Sequence, residues 1–191
     1  MTRSMDPLRS TREVELGPRG VVEIALPANT IRLRGVDGDR VIVRVPADRG
    51  IDDELVIDES PGRVRIQEAD QGYRLGPVRV RTRQPAPVEI DLPRTASVEL
   101  QTLNGDVVAA GIGADSRWST ASGDLHLDLG DGAVTVESMS GDVTLVAARP
   151  TAVAMHAVSG DVRIRADRID DLTVSTTSGA IGVEAGLGVA R

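Results

Sequence analysis

From Val14 onward, apolar and polar residues alternate with a period of two. The apolar positions are Val22, Ile24 and Leu26 in "VVEIAL", Ile31 and Leu33 in "TIRLRGV", and Val41, Val43 and Val45 in "VIVRV". Such alternation puts one face of a strand in a core and the other in solvent. Clusters of Gly, Pro and Asp separate the runs, at "GVDGD" (35–39), "SPG" (60–62) and "QPAP" (84–87). These residue types end strands and form turns. No window sustains a helical period, so the predicted class is all-β. The segment "VRVRTRQPAPVEIDLP" predicts a hairpin, with Arg79, Arg81 and Arg83 on one face of its first strand and Glu89 and Asp91 on one face of its second. Cross-strand pairing would neutralise much of that arginine row. A salt-bridged outer face is therefore expected ahead of an anion-binding surface.

The second half adds a longer period. "LNGDV", "ASGDL", "MSGDV", "VSGDV" and "TSGAI" align on Gly105, Gly123, Gly141, Gly160 and Gly179, at spacings of 18, 18, 19 and 19 residues. Five residues before each glycine stand Leu100, Trp118, Val136, Met155 and Val174; seven before stand Val98, Ser116, Val134, Val153 and Leu172. Two after come Val107, Leu125, Val143, Val162 and Ile181, and four after come Ala109, Leu127, Leu145, Ile164 and Val183. Ser116 is the exception in otherwise apolar columns. Each repeat thus carries one inward-facing strand before the glycine and one after it. Self-similarity at so short a period predicts a parallel β-solenoid of about five 18–19-residue coils. A single coil shares too little core to stand alone, and stacked neighbours complete both the core and the hydrogen-bond ladder.

Each glycine is the predicted corner of a coil, where it supplies a backbone conformation with φ > 0. The small polar residue before it (Asn104, Ser122, Ser140, Ser159 or Ser178) suits a turn. After four of the glycines comes an aspartate: Asp106, Asp124, Asp142 and Asp161. Stacking in register would hold these carboxylates about 5 Å apart, a repulsion of about 3 kcal/mol at an effective dielectric of 20. Turn N–H donors, solvent or bound cations must offset it. Calcium β-rolls use a richer "GGxGxD" pattern that this sequence lacks, so capping of the turns is the favoured role and a cation ladder the lesser one. His126 and His156 fall in different columns with no third ligand, which makes them expected exposed strand residues rather than a zinc site. Trp118 is expected in the core.

Composition narrows the picture further. The core has no Phe, one Trp and one Tyr, and is otherwise Val, Leu, Ile and Ala. There is no Cys, hence no disulfide and no thiolate ligand or nucleophile. Residues 1–95 carry 16 Arg against 16 acidic residues, whereas residues 96–191 carry 6 Arg against 13, so the net charge of −7 lies in the second half. An acidic half nearly devoid of aromatics argues against a nucleic-acid partner. The start "MTRSMDPLRSTREVELG" has no apolar run of signal-peptide type, and no stretch reaches membrane-spanning length. A cytoplasmic location is the expectation. Residues 1–12 read as a disordered polar tail, 13–95 as an N-terminal β-strand unit, and 96–191 as the solenoid repeats, continuous with 13–95 as one domain.

The segments "LNGDVVAAG", "ASGDLHLDL", "MSGDVTLVA" and "VSGDVRIRA" resemble the bacterial β-strand-repeat family of unknown function called toastrack, which also carries an adhesin label. "NTIRLRGVDGDRVIVRV" looks like its opening unit and "VEIDLPRTASVELQTLNGDV" like its passage into the repeats, so the resemblance spans about residues 14–185. It implies a right-handed parallel β-helix and, for some members, an association with cell-envelope stress systems; no cofactor is expected. The expected function is a non-catalytic binding or scaffold module with a protein or cell-envelope partner on its flat outer sheets. The alternative is a carbohydrate-active hydrolase or lyase on a parallel β-helix, built on paired carboxylates. Against it stand the near absence of aromatic platforms for sugar rings and the lack of His–Asp partners for Ser119 and Ser122 at recognisable spacing. In the final repeat Ala180 replaces the aspartate, and "IGVEAGLGVAR" offers no polar cap. That open end is expected to meet a partner, either a second copy or another protein.

Overall fold

In the computed structural model the described residues are 9–17, 19–69, 72–75, 78–81, 84–148, 150 and 152–185. The chain opens with β1 (Arg9–Glu15), β2 (Val21–Ala25), β3 (Ile31–Val36) and β4 (Arg40–Pro46). One helical turn, α1 (Ile51–Glu54), leads into β5 (Leu55–Ser60), β6 (Arg63–Glu68) and a small hairpin of β7 (Gly72–Leu75) and β8 (Val78–Arg81). After β9 (Val88–Pro93) come the repeats: β10 (Ser97–Asn104) and β11 (Val107–Ile112), β12 (Ser116–Ser122) and β13 (Leu125–Leu129), β14 (Val134–Ser140) and β15 (Val143–Ala147), β16 (Ala152–Ser159) and β17 (Val162–Ala166), and β18 (Asp171–Ser178) and β19 (Ile181–Ala185).

Each coil has two sheets. The strand before each glycine joins one sheet and the strand after it joins the other, and all repeat strands pair in parallel. Register is strict: Leu127 lies beside Leu145 and Leu145 beside Ile164, while Leu100, Trp118, Val136 and Met155 line up across the facing sheet. Like residues stack over like because any slip of one residue would turn the apolar set outward. The two inner faces form one continuous core, in which Trp118 is fully buried and Ser116 fills its place beside Val98 and Val134.

The N-terminal residues build two more coils of the same stack. Strands β2 and β3 form a coil wedged between β6/β9 on one side and β10/β11 on the other, again in parallel. Adding these two to the five glycine-marked repeats gives seven coils among the described residues. The wedge means that β3 and β4 do not pair across the "GVDGD" turn, because β9 inserts between them. Antiparallel strands close this end of the stack: β5 on β6, β4 on β9 and β1 on β4, with Ile51 of α1 buried beneath.

Two expectations are corrected. The hairpin over residues 78–93 does not form: β8 pairs with β7, and both edges of β9 are taken by β3 and β4. Pro85 and Pro87 in the connection lack the N–H groups that a hairpin ladder would require. Val88, Ile90 and Leu92 gain more as a central strand, where they are fully buried. Strand structure also begins earlier than expected. β1 begins at Arg9, and Arg12 lies beside Val43, since the alternation ending at Val14 and Leu16 continues an edge that β4 leaves open. Residues 1–8 lie outside the described ones.

Candidate binding surface

The corner of each coil is built from the glycine and the aspartate together. Gly123, Gly141, Gly160 and Gly179 have φ between 112° and 135°, a region that other residues avoid. Gly105 does not share that conformation. Its requirement is space: a Cβ there would overlap the carbonyl oxygen of Asn29 in the coil above and lie 3.0 Å from the carbonyl carbon. The same close approach repeats down the column, from Gly123 against Gly105 to Gly179 against Gly160. Asn29 is therefore the hidden first member of the column, held by its side-chain amide, which donates to the Ala86 carbonyl at 2.7 Å.

The aspartates bind across rungs. The backbone N–H of Asp124 donates to Asp106 Oδ1 at 3.1 Å, that of Asp142 to Asp124 at 2.9 Å, that of Asp161 to Asp142 at 2.9 Å, and that of Ala180 to Asp161 at 3.0 Å. Each carboxylate thus caps the next corner, which accounts for its place after the glycine and for Ala180 ending the series. The N–H of Asp161, and after it Arg163, hold the Asp142 carboxyl below its ordinary pKa. Arg163 also pairs with Asp161 at 2.9 Å. Among the described residues no group of three or more His, Asp or Glu side chains is placed to hold a metal ion.

Beside this corner, on the outer face of the β10–β12–β14–β16 sheet, runs a groove of about 730 Å³. Its apolar side is a column two residues before each of the first four glycines, in which Leu103 is 64% exposed, Met139 62% and Val158 52%, with Ala121 between Leu103 and Met139. Pro27 of the N-terminal coil extends it, and Gln101, Ser119, Glu137 and His156 form the polar side. The floor is the strand backbone at Thr102, Thr120 and Ser138, whose own side chains are buried. Large apolar residues repeated in solvent along one line are uncommon on a soluble face, and such patches mark interaction surfaces. Reasoning from sequence missed this column. Parity alone reveals it, because position −2 faces the same way as the polar position −4.

Other residues singled out from the sequence are dispersed. His126 and His156 are exposed on different sheets, and His156 Nδ1 meets Ser175 Oγ of the next rung at 2.7 Å. Arg79 and Arg81 lie on the β7–β8 hairpin opposite Arg74 and Gly72, and Arg83 falls outside the described residues. Asp91 and Glu89 are matched instead by arginines of the flanking strands. Asp91 is 6% exposed and accepts from Arg34 Nε at 3.0 Å and Nη2 at 2.9 Å, and from Arg44 Nη1 at 2.8 Å. Burial pushes the Asp91 carboxyl up, but the hydrogen bonds from Arg34 and then Arg44 outweigh it and hold its pKa below the ordinary value. Glu89 lies 3.8 Å from Arg32.

The family described as Toastrack DUF4097 matches residues 23–186. No curated protein matches the sequence. Among solved structures, the chain is similar to a "putative cell adhesion protein" from Clostridium sporogenes ATCC 15579, at 12% identity over 93% of this chain and 99% of that one, with a TM-score of 0.59. Weaker likenesses are to a "putative lipid binding protein" from Parabacteroides distasonis ATCC 8503 (10% identity, 97% and 98% covered, TM-score 0.41) and a "putative adhesin" from Bacteroides fragilis NCTC 9343 (13% identity, 92% and 96% covered, TM-score 0.38). At such identities the likeness concerns the fold. Among the described residues no helix is long and apolar enough to cross a membrane.

Proposed function

We propose that this chain, which belongs to the Toastrack DUF4097 family, is a non-catalytic binding module whose recognition surface is the groove beside the glycine corners. Its occupant is an amphipathic helical segment of a protein partner. The observation that carries this reading is the in-register line of Leu103, Met139 and Val158, each more than half exposed. Rungs lie about 4.8 Å apart, so Leu103 to Val158 spans about 14 Å. A helix turn advances about 5.4 Å, so an i, i+4, i+7, i+11 stripe of apolar residues stays close to step over that length. An extended strand, with like-facing residues about 6.7 Å apart, loses step by the third rung.

Charge defines the flanks of the partner. Glu137 lines the groove, and the corner beside it carries Asp106 and Asp124, none of which pairs with an arginine among the described residues. A stripe flanked by Arg or Lys is the complement. The test is a fluorescent amphipathic peptide with leucines at i, i+4, i+7 and i+11 and arginines flanking them, titrated by anisotropy. Binding in the micromolar range, weakened at least about tenfold by Leu103→Glu with Met139→Glu, is the expected result. Equal binding by that double variant, or by a peptide of the same composition with its leucines dispersed around the helix, would remove the groove from consideration.

A further inference from the structure

The two ends of the stack are finished differently. At the N-terminal end, β1, β4, β5 and α1 cover the core, and Val41, Val43, Val45, Ile51 and Leu55 are buried there. At the other end β18 and β19 are, among the described residues, the outermost strands of their sheets. Their inward residues stay in solvent: Leu172 is 39% exposed, Ile181 44% and Val183 41%, where their counterparts Val153, Val162 and Ile164 one coil earlier are at 1–2%. Strand edges of folded proteins are ordinarily guarded by charges, proline or bulges against pairing with another chain. Here the outward positions along the two strands are Asp171, Thr173, Ser175, Thr177, Gly182 and Glu184, so the charges stand only toward the far ends of the two strands, and Glu184 is engaged by Arg165 at 2.8 Å.

We infer that this end is the interface for a second copy of the chain, joined end to end about a two-fold axis normal to the sheets. Such an axis keeps each sheet in its plane and reverses its strands, so β18 pairs with β18 of the second copy and β19 with β19, both antiparallel. That is the arrangement with which this chain closes its own N-terminal end. Val174 stands five residues before Gly179 and Val183 four after it, so both occupy the middle of the coil and one axis can pass through each. In that register Glu184 faces Gly182 of the second copy and Asp171 faces Thr177, with no like charges opposed. The end face measures about 25 Å by about 20 Å, from an eight-residue strand and two sheets about 10 Å apart with their side chains. That is about 500 Å² per copy and about 1,000 Å² in all, the lower bound for a specific pair, and two backbone ladders add to it. Both grooves would then open on one side of the dimer, which permits bivalent engagement. The interface itself does not depend on the groove being a binding site.

The chain has no cysteine, which makes cross-linking diagnostic. Sedimentation of the full chain from low to high micromolar concentration should show a monomer–dimer equilibrium, with the dissociation constant raised at least about tenfold by Ile181→Arg. Val183→Cys, lying on the axis, should form an intermolecular disulfide under mild oxidation. Val146→Cys, similarly exposed at 39% but on the outer face of β15, should not. A wild-type monomer throughout the range overturns the inference. So does equal dimerisation by Ile181→Arg, or equal cross-linking of the two cysteine variants.

Discussion

Replacing glycines of the corner column by alanine separates two causes that the sequence pattern combines. At Gly141 φ is +112°, and an added Cβ would overlap the Gly123 carbonyl oxygen and lie 2.8 Å from its carbon. The conformation alone costs about 1–3 kcal/mol for a residue with a side chain. Relieving the overlap means moving one rung by roughly 1 Å, which stretches one or two corner hydrogen bonds worth about 0.5–1.5 kcal/mol each. Gly141→Ala should therefore lose about 2–5 kcal/mol. At Gly105 the conformational cost is missing but the collision with Asn29 is as severe, and the corner there is held by Gly105 N–H donating to the Ser122 carbonyl at 3.1 Å. Gly105→Ala should lose about 1–3 kcal/mol. Gly182, with nothing within 4 Å of its would-be Cβ and no positive φ, is the control. Its alanine variant should be neutral, or more stable by up to about 1 kcal/mol through the unfolded chain. Urea unfolding midpoints at unchanged slope measure all three. If Gly105→Ala matches the wild type while Gly141→Ala is destabilised, close packing of the corners has no part in the column and the argument from space is wrong.

Three further outcomes follow from the core and the carboxylates. Leu145 is fully buried between Leu127 and Ile164, so Leu145→Ala should cost about 2–5 kcal/mol, and Leu145→Asp should abolish the cooperative transition by burying an unpaired charge. Because a backbone N–H already occupies Oδ1 of each of Asp106, Asp124, Asp142 and Asp161 and ties it to the next corner, millimolar calcium should leave the melting temperature almost unchanged. A rise of many degrees, removed by Asp124→Asn with Asp142→Asn, would instead establish a cation ladder. Asp91 and Asp142 both have folded pKa values below the unfolded ones. Their contribution is therefore present above the ordinary carboxylate range and is lost as pH falls through it toward the folded values. Denaturant midpoints from neutral to acidic pH should show that loss, and Asp91→Asn should lower the neutral midpoint while flattening its acid dependence; an unchanged pH slope would remove Asp91 as a contributor.

Periodicity along the chain was sufficient for the strands, their inward faces and the coil repeat. Alternation at Val98, Leu100, Val107 and Ala109 specifies two buried faces per coil, and recurrence at 18 or 19 residues specifies that they stack in register. These are local properties of side-chain parity, so they survive without knowledge of neighbours. Neighbours themselves are a different matter. Nothing in "VEIDLP" states that it inserts between β3 and β4, and nothing in "VVEIAL" states that its coil is wedged between two coils formed later in the chain. Those choices follow from competition among all strands for a limited number of open edges. The salt-bridge partners changed with them: Asp91 meets Arg34 and Arg44 because β9 lies between their strands, whatever the arginines nearest in sequence. The exposed line of Leu103, Met139 and Val158 was present in the parity, but only the tertiary structure showed a groove beside it, because concavity belongs to the stacked surface and to no single strand.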